Sequence, residues 1–509
     1  MKRLMAAFLA AVCLVLAADP AVAAASSPDR AYTYDEEYNA VPSTNSFQVK
    51  LIIDENSLGC DGFSSAQDLF VDSEDQIYLL DSGKGRVLWI DEDYNLVDVI
   101  DSFTYNGEPL TLAPGAQGIF YREMTQELYI ADTDQDRIVV SDRFGNVSRI
   151  YEKPVSALLD DNLAYKPTKI IVDNMGIMYV ISRNVNTGAL MIDENNEFLG
   201  FYGVNAIKET WEVRMEFMWR QFLTDEQIRQ SENSFQPTEL NNLYWSEDRF
   251  IYAVSPANDT IASPVVKLNA VGDNVLDTEG VYFGDLSVNE IVPAGQLALA
   301  DDEKNNPVFS DITADSEGVF TILDSTSGKL YQYDDSCNLL TVFGGLGYQK
   351  GLFTLPIAIE SNSRNEILVL DSQKNTITVM EQTYYGKMIR EALFLHNEGL
   401  YEEALEPWFE VLRMNANYYI AYIGIGKAYM NMKDYEQAEY YFKLGGDKEN
   451  YAAAKSALRA EVLRDNFALI SAVVVLVMLF ILFYDGIKRS LMKAAGILRN
   501  GRKQREERT

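Results

Sequence analysis

The chain is 509 residues long and 47% hydrophobic, with 24 Phe and 30 Tyr. That is enough apolar surface to core several domains, and it excludes a disordered or fibrous chain. A net charge of −33, from 76 acidic and 43 basic residues, excludes a body that binds nucleic acid or anionic lipid.

Residues 1–25 read as a signal peptide. Lys2 and Arg3 open it, Leu4 to Ala18 is apolar, and Ala21-Val22-Ala23 or Ala23-Ala24-Ala25 offers small residues for cleavage. Ala11-Val12-Cys13 is a poor site for lipidation. With Cys13 in the leader, Cys60 and Cys337 remain, far apart in sequence, and no disulfide framework is expected. Residues 26–46 read as a linker.

Between Gln67 and Met380 one pattern recurs six times. A short apolar run reaches an Asp or Ser turn, and a second run follows it. The first runs are Ile77 to Asp81, Leu128 to Asp132, Met178 to Ser182, Ile251 to Ser255, Val319 to Asp324 and Ile367 to Asp371. The second are Arg86 to Ile90, Arg137 to Ser141, Ala189 to Ile192, Val265 to Leu268, Lys329 to Tyr333 and Thr376 to Met380. β-branched and aromatic residues between polar turns predict strands. The turn carboxylate is suited to accept backbone N–H groups in the hairpin. Each unit has a preceding strand, such as Gln67 to Val71 or Lys169 to Asp173, and several have a following one, such as Leu96 to Ile100.

Units of this kind stack into four-stranded blades around an axis. Successive turn residues lie 51, 50, 73, 69 and 47 positions apart, so the two long intervals mark insertions. The sixth unit lacks an outer strand of its own. The unclaimed β run Phe47 to Ile53 is expected to supply it and close the ring, leaving no free edge. The pattern resembles six-bladed NHL-repeat propellers and places the propeller at 47–384, although Ser182 and Ser255 stand where the turn Asp is expected.

The first insertion, 205–240, has Trp211, Met215, Met218 and Phe222 at helical spacing, then a capping box at Thr224-Asp225-Glu226-Gln227. Its Trp219-Arg220, Thr224 to Gln227 and Pro237-Thr238-Glu239 elements resemble an insertion of bacterial membrane-anchored NHL-repeat proteins. The resemblance implies a cap over one propeller face. As a plug it would bind nothing; as a lid it would present Trp219, Arg220 and Glu239 to a ligand at the axial mouth. The second insertion, Glu279 to Pro307, reads as a surface loop with a solvated acidic run, Asp301-Asp302-Glu303. Asp132-Thr133-Asp134-Gln135-Asp136 fails as a calcium loop, because Arg137 and Arg143 stand where that loop needs Gly and Glu.

After the propeller, residues 385–465 contain a 34-residue echo. Tyr401 matches Tyr435, Ala404 matches Ala438, and Trp408 matches Phe442. This resembles tetratricopeptide repeats, with a small residue admitting the neighbouring helix and an aromatic filling the gap. Two such units and the helix Ala452 to Asp465 should dock on the propeller or space it from a membrane. Residues 466–485 read as one transmembrane helix, uncharged from Phe467 to Tyr484. The tail 486–509 carries eight basic residues against Glu506 and Glu507, which orients it to the cytoplasm.

The expected fold is therefore an all-β six-bladed propeller, an α-helical tetratricopeptide-like hairpin array and a single transmembrane helix. Propellers of this class include gluconolactonase-like hydrolases and the streptogramin lyase. The only His, His396, lies in the helical repeats and reads as a helix-surface residue, so the propeller has no His base. No nucleophile elbow, zinc helix or phosphate loop occurs. No catalytic residue, metal ligand or cofactor is assigned. The leading expectation is an exported, membrane-tethered binding or scaffold protein. Its partners would be the cell membrane and an unknown protein; the resemblance implies a membrane transport or assembly system. A metal-dependent lactonase or lyase is the alternative, decided by whether axial oxygens converge on an ion or the channel is sealed.

Overall fold

The structure, a computed structural model, describes residues 31–34, 40–156, 159, 163–183, 185–203, 239–256, 263–276 and 307–506. Six sheets form the blades of a ring. Blade 1 runs Ala66–Val71, Ile77–Asp81, Arg86–Ile90 and Leu96–Ile100, all antiparallel. Blades 2 and 3 repeat this order from Gly118–Arg122 and Pro167–Val172 as innermost strands. Blade 4 shows three strands among the described residues, beginning with Asn242–Trp245. Blades 5 and 6 begin with Phe309–Ala314 and Pro356–Ser361.

Phe47–Ile53 pairs antiparallel with Thr376–Gln382 as the outer strand of blade 6, from Gln382↔Phe47 to Ile377↔Ile53. The front of the chain thus closes the ring, as the unpaired β run implied. The second strands are buried along their length, save Glu127 at the start of Glu127–Asp132, because both faces of each blade pack on neighbours.

Two turn systems recur around the ring. At the end of the second strand, the turn residue reaches back across the blade: Asp81 accepts the Ser64 N–H at 2.7 Å, Asp132 that of Ala113 at 2.9 Å, Asp324 that of Val308 at 3.1 Å and Asp371 that of Thr354 at 2.6 Å. The Ser182 hydroxyl does the same for Lys166 at 2.8 Å. The carboxylate was expected to serve its own hairpin; it chiefly pins the segment arriving from the preceding blade, and serves the hairpin as well in blades 5 and 6. At the other end of the ring, Asp72, Asp173 and Asp315 each accept two N–H groups of their own turn, at 2.8–3.0 Å.

Two additions were not foreseen. Phe103–Tyr105 and Glu108–Leu110 form a hairpin that extends blade 2. Tyr32–Tyr34 and Ala40–Pro42 extend blade 5, with Tyr32 paired to Val342. Part of the stretch read as a linker is therefore structured. It is pinned further along, where Thr44 Oγ1 donates to the Met414 carbonyl at 3.2 Å and Asn415 Nδ2 to the Ser43 hydroxyl at 3.0 Å.

The helical array starts one residue after the last propeller strand. Its helices are Tyr384–Asn397, Tyr401–Met414, Tyr419–Asn431, Tyr435–Leu444 and Lys448–Asp465. Ala404 and Ala438 are fully buried, as are Trp408 and Phe442, so the 34-residue echo is a repeat of packing positions. The array docks on blade 5. Tyr418 donates to the Leu340 carbonyl at 3.0 Å, and Arg390 pairs with Asp315 at 2.6 Å and Glu317 at 3.0 Å. His396 is half-buried against the Tyr401 ring rather than on the helix surface, and burial lowers its pKa. A final helix, Phe467–Glu506, follows; its stretch Phe467–Gly486 has mean hydropathy 2.9, and none of it is buried.

Candidate functional site on the propeller axis

The innermost strand of each blade runs along the axis, and its register decides what faces the centre. The residue paired with the one just before the turn Asp or Ser is Asp68, Gly118, Lys169, Asn242, Asp311 or Ala358 in blades 1 to 6. In blades 1, 3, 5 and 6 a bulge immediately precedes this position. Two residues on, the next layer holds Phe70, Phe120, Ile171, Tyr244, Thr313 and Glu360. In blade 2 the first layer must be glycine: a Cβ on Gly118 would lie 2.5 Å from the Thr168 carbonyl oxygen.

The first layer is a buried polar network. Lys169 Nζ spans from blade 3 to Asp68 of blade 1 at 2.6 Å. The other Asp68 oxygen accepts the Ile119 N–H at 3.0 Å. Asp311 accepts Asn242 Nδ2 and the N–H groups of Ile312 and Ile359, the latter two at 2.8 and 2.7 Å. Burial works against the Lys169 charge, but Asp68, Asp311 and Glu360 outweigh it and raise its pKa. Burial pushes Asp311 up to about 7 despite Lys169. Glu360 is held well above the carboxylate range by burial, then by repulsion from Asp311 and Asp68.

A cavity of about 30 Å3 lies among these groups. Above it, beyond Phe70, Phe120, Tyr244 and Trp245, the axis opens into a funnel of about 320 Å3. Its rim is built from the turns after the innermost strands. Most rim carboxylates serve the ring itself: Glu123 accepts from Ser73 at 2.6 and 2.7 Å, and Asp75 accepts from Ser363 at 2.7 Å twice.

Gluconolactonase-type chemistry would need axial oxygens sharing one ion. Among the described residues, no three His, Cys, Asp or Glu side chains are disposed to hold a metal. The Lys169 ammonium already sits between the carboxylates, so this donor set does not fit a divalent ion. Of the lid residues expected to bind ligand, Trp219 and Arg220 lie outside the described residues. Glu239 is half-buried where the chain returns to blade 4, at the end of the ring opposite the funnel. The 279–306 loop also lies outside them. Asp132 pairs with Arg137 at 2.8 Å and holds no calcium-loop geometry. Cys60 and Cys337 form no disulfide.

Sequence reasoning missed the axial cluster, although a signal was there. Asp68, Lys169, Asn242 and Asp311 each stand thirteen positions before the turn residue of their unit, a charged or amide side chain at a fixed place in the strand.

No protein-family model matches the sequence, and no curated protein matches it. Among solved structures, the chain is similar to virginiamycin B lyase from Staphylococcus aureus, at 10% identity over 66% of this chain and 99% of that one, TM-score 0.38. It is similar to a gluconolactonase from Xanthomonas campestris, at 10% identity over 67% and 99%, TM-score 0.37. A protein from Bacteroides thetaiotaomicron matches at 12% identity over 70% and 76%, TM-score 0.38. No activity transfers at that distance. The propeller stands on the chain's own six sheets.

Proposed function

We propose that this is an exported, membrane-tethered binding protein whose propeller receives a ligand in the axial funnel. One observation carries the reading: the axis is stoppered by the Asp68–Lys169 ion pair and the Asp311–Asn242 contact, yet opens above them into a ligand-sized, aromatic-walled funnel. The polar residues of the stopper are engaged with one another, which suits a rigid floor better than a reacting centre. The apolar Phe467–Gly486 helix, followed by a basic tail, supports a single span with the propeller outside. The helical array, reminiscent of tetratricopeptide repeats, would hold the propeller near the bilayer and face a membrane transport or assembly partner.

The test is a thermal-shift screen of small solutes against the detergent-extracted full chain. A double variant, Asn174→Trp with Ser316→Trp, narrows the funnel from two of its blades. Solutes that stabilise the wild type and not the variant support the reading. Lactone hydrolysis by the wild type that is lost in Asp311→Asn would overturn it in favour of the hydrolase.

A further inference from the structure

We infer that the base of the funnel takes a primary alkylammonium head, with Glu360 as its counter-ion and the aromatic collar around its stem. This rests on the reading of the funnel as a ligand site.

The axis carries three buried carboxyl groups, Asp68 and Asp311 in the first layer and Glu360 in the next, with one ammonium among them. Lys169 pairs with Asp68 at 2.6 Å. Asp311 is served by Asn242 and two backbone N–H groups. Glu360 is only 9% exposed; it feels the Lys169 charge and the Ser361 N–H, but among the described residues no side chain donates a hydrogen bond to it. Burial and the neighbouring Asp311 and Asp68 disfavour the Glu360 charge, and a second ammonium placed beside it would stabilise that charge.

Size and surroundings select the class. The cavity beside Glu360, about 30 Å3, admits one or two water-sized groups, and an ammonium head is of that size. It opens past Phe70 and Phe120, whose ring centroids lie 4.9 Å apart, and past Tyr244 and Trp245. Aromatic faces attract cations and accommodate an alkyl stem, and the 320 Å3 funnel above holds the rest of the ligand. The acidic body draws cations towards it. A divalent ion is disfavoured, because Lys169 stands among the oxygens it would need.

The experiment is calorimetry on the detergent-extracted full chain with putrescine and, as a neutral counterpart, butan-1-ol. Putrescine should bind at least tenfold more tightly than butanol. Glu360→Gln should weaken putrescine at least tenfold without lowering the melting temperature. Binding at pH 7 should release a proton, seen as a dependence of the heat on buffer ionisation. Trp245→Leu, which leaves the buried charge in place, should weaken putrescine several-fold. A capped lysine, Nα-acetyl-lysine N-methylamide, distinguishes the sources: Glu360-dependent binding of it at least as tight as putrescine assigns a lysine side chain, and weaker binding assigns a free amine. Equal binding of amine and alcohol, or an unaffected Glu360→Gln variant, overturns the inference. If neutral solutes still occupy the funnel in the thermal-shift screen, the inference fails alone; if none do, the binding reading fails with it.

Discussion

Lys50 and Glu366 form an ion pair where the two ends of the propeller meet. Lys50 lies on the strand supplied by the front of the chain, and Glu366 on the sixth blade. Tyr94 of blade 1 donates to the same carboxylate, as do Asn362 at 2.8 Å and Arg364 at 3.0 Å. One buried carboxylate therefore ties blade 6 to the closing strand from the front of the chain and to blade 1. Burial opposes its charge, but these donors outweigh it and hold its pKa down at about 2.

Glu366→Gln should accordingly destabilise the ring by roughly 3 kcal/mol at neutral pH, because its donors lose a charged acceptor. The contribution is present above the ordinary carboxylate value near 4.5 and is lost as pH falls towards about 2. Urea midpoints of wild type and variant, measured from pH 5 to pH 2, should converge at the acid end.

The Asp311 carboxyl works in the opposite sense. Its pKa of about 7 lies above its ordinary 3.8, so its share of stability is full below about pH 4 and declines as pH rises to about 7. Melting temperature should fall over that window. In Asp311→Asn the slope should be shallower, whatever the absolute value. A slope equal to that of the wild type would contradict the burial assigned here.

The turn carboxylates offer an internal control. Asp132→Ala removes the acceptor of the Ala113 N–H and the partner of Arg137, at a fully buried site, and should cost about 3 kcal/mol. Asp132→Ser should recover part of this, because Ser182 holds the equivalent N–H of Lys166 with a hydroxyl. Ser182→Ala should cost only about 1 kcal/mol. Urea midpoints rank the three.

In the helical array, Gly424 lies against Trp408. A Cβ there would sit 2.6 Å from the indole ring. Helix propensity favours Ala over Gly by about 1 kcal/mol, but overpacking costs roughly 1–3 kcal/mol, so Gly424→Ala should destabilise the array. Adding Trp408→Phe should restore part of the loss, giving a non-additive double-mutant cycle in thermal melts.

The six repeats, their turn residues and the ring-closing strand were legible because blade packing imposes a period on the sequence. Ile77 to Asp81 and Ile367 to Asp371 are buried on both faces and read as continuous apolar runs. Tyr32–Tyr34 and Ala40–Pro42 were not legible: two three-residue strands carry too little alternation to stand out. The axial cluster was hidden for another reason. Asp68, Lys169 and Glu360 are far apart in sequence, and bulges shift the register that brings two of them together. Nor does anything in Tyr418 alone announce that its hydroxyl meets Leu340, since that contact depends on how the array lies on blade 5.

The seam also has a mechanical meaning. Thr383, the residue between propeller and array, donates its N–H to the Ser46 carbonyl at 2.9 Å and its hydroxyl to the Asn45 carbonyl at 2.6 Å, directly beside the Gln382↔Phe47 rung. Tension transmitted through the helices would arrive along the length of that ladder. Its hydrogen bonds would be sheared together instead of peeled one by one, so the ring is strapped shut at the point where the helices leave it.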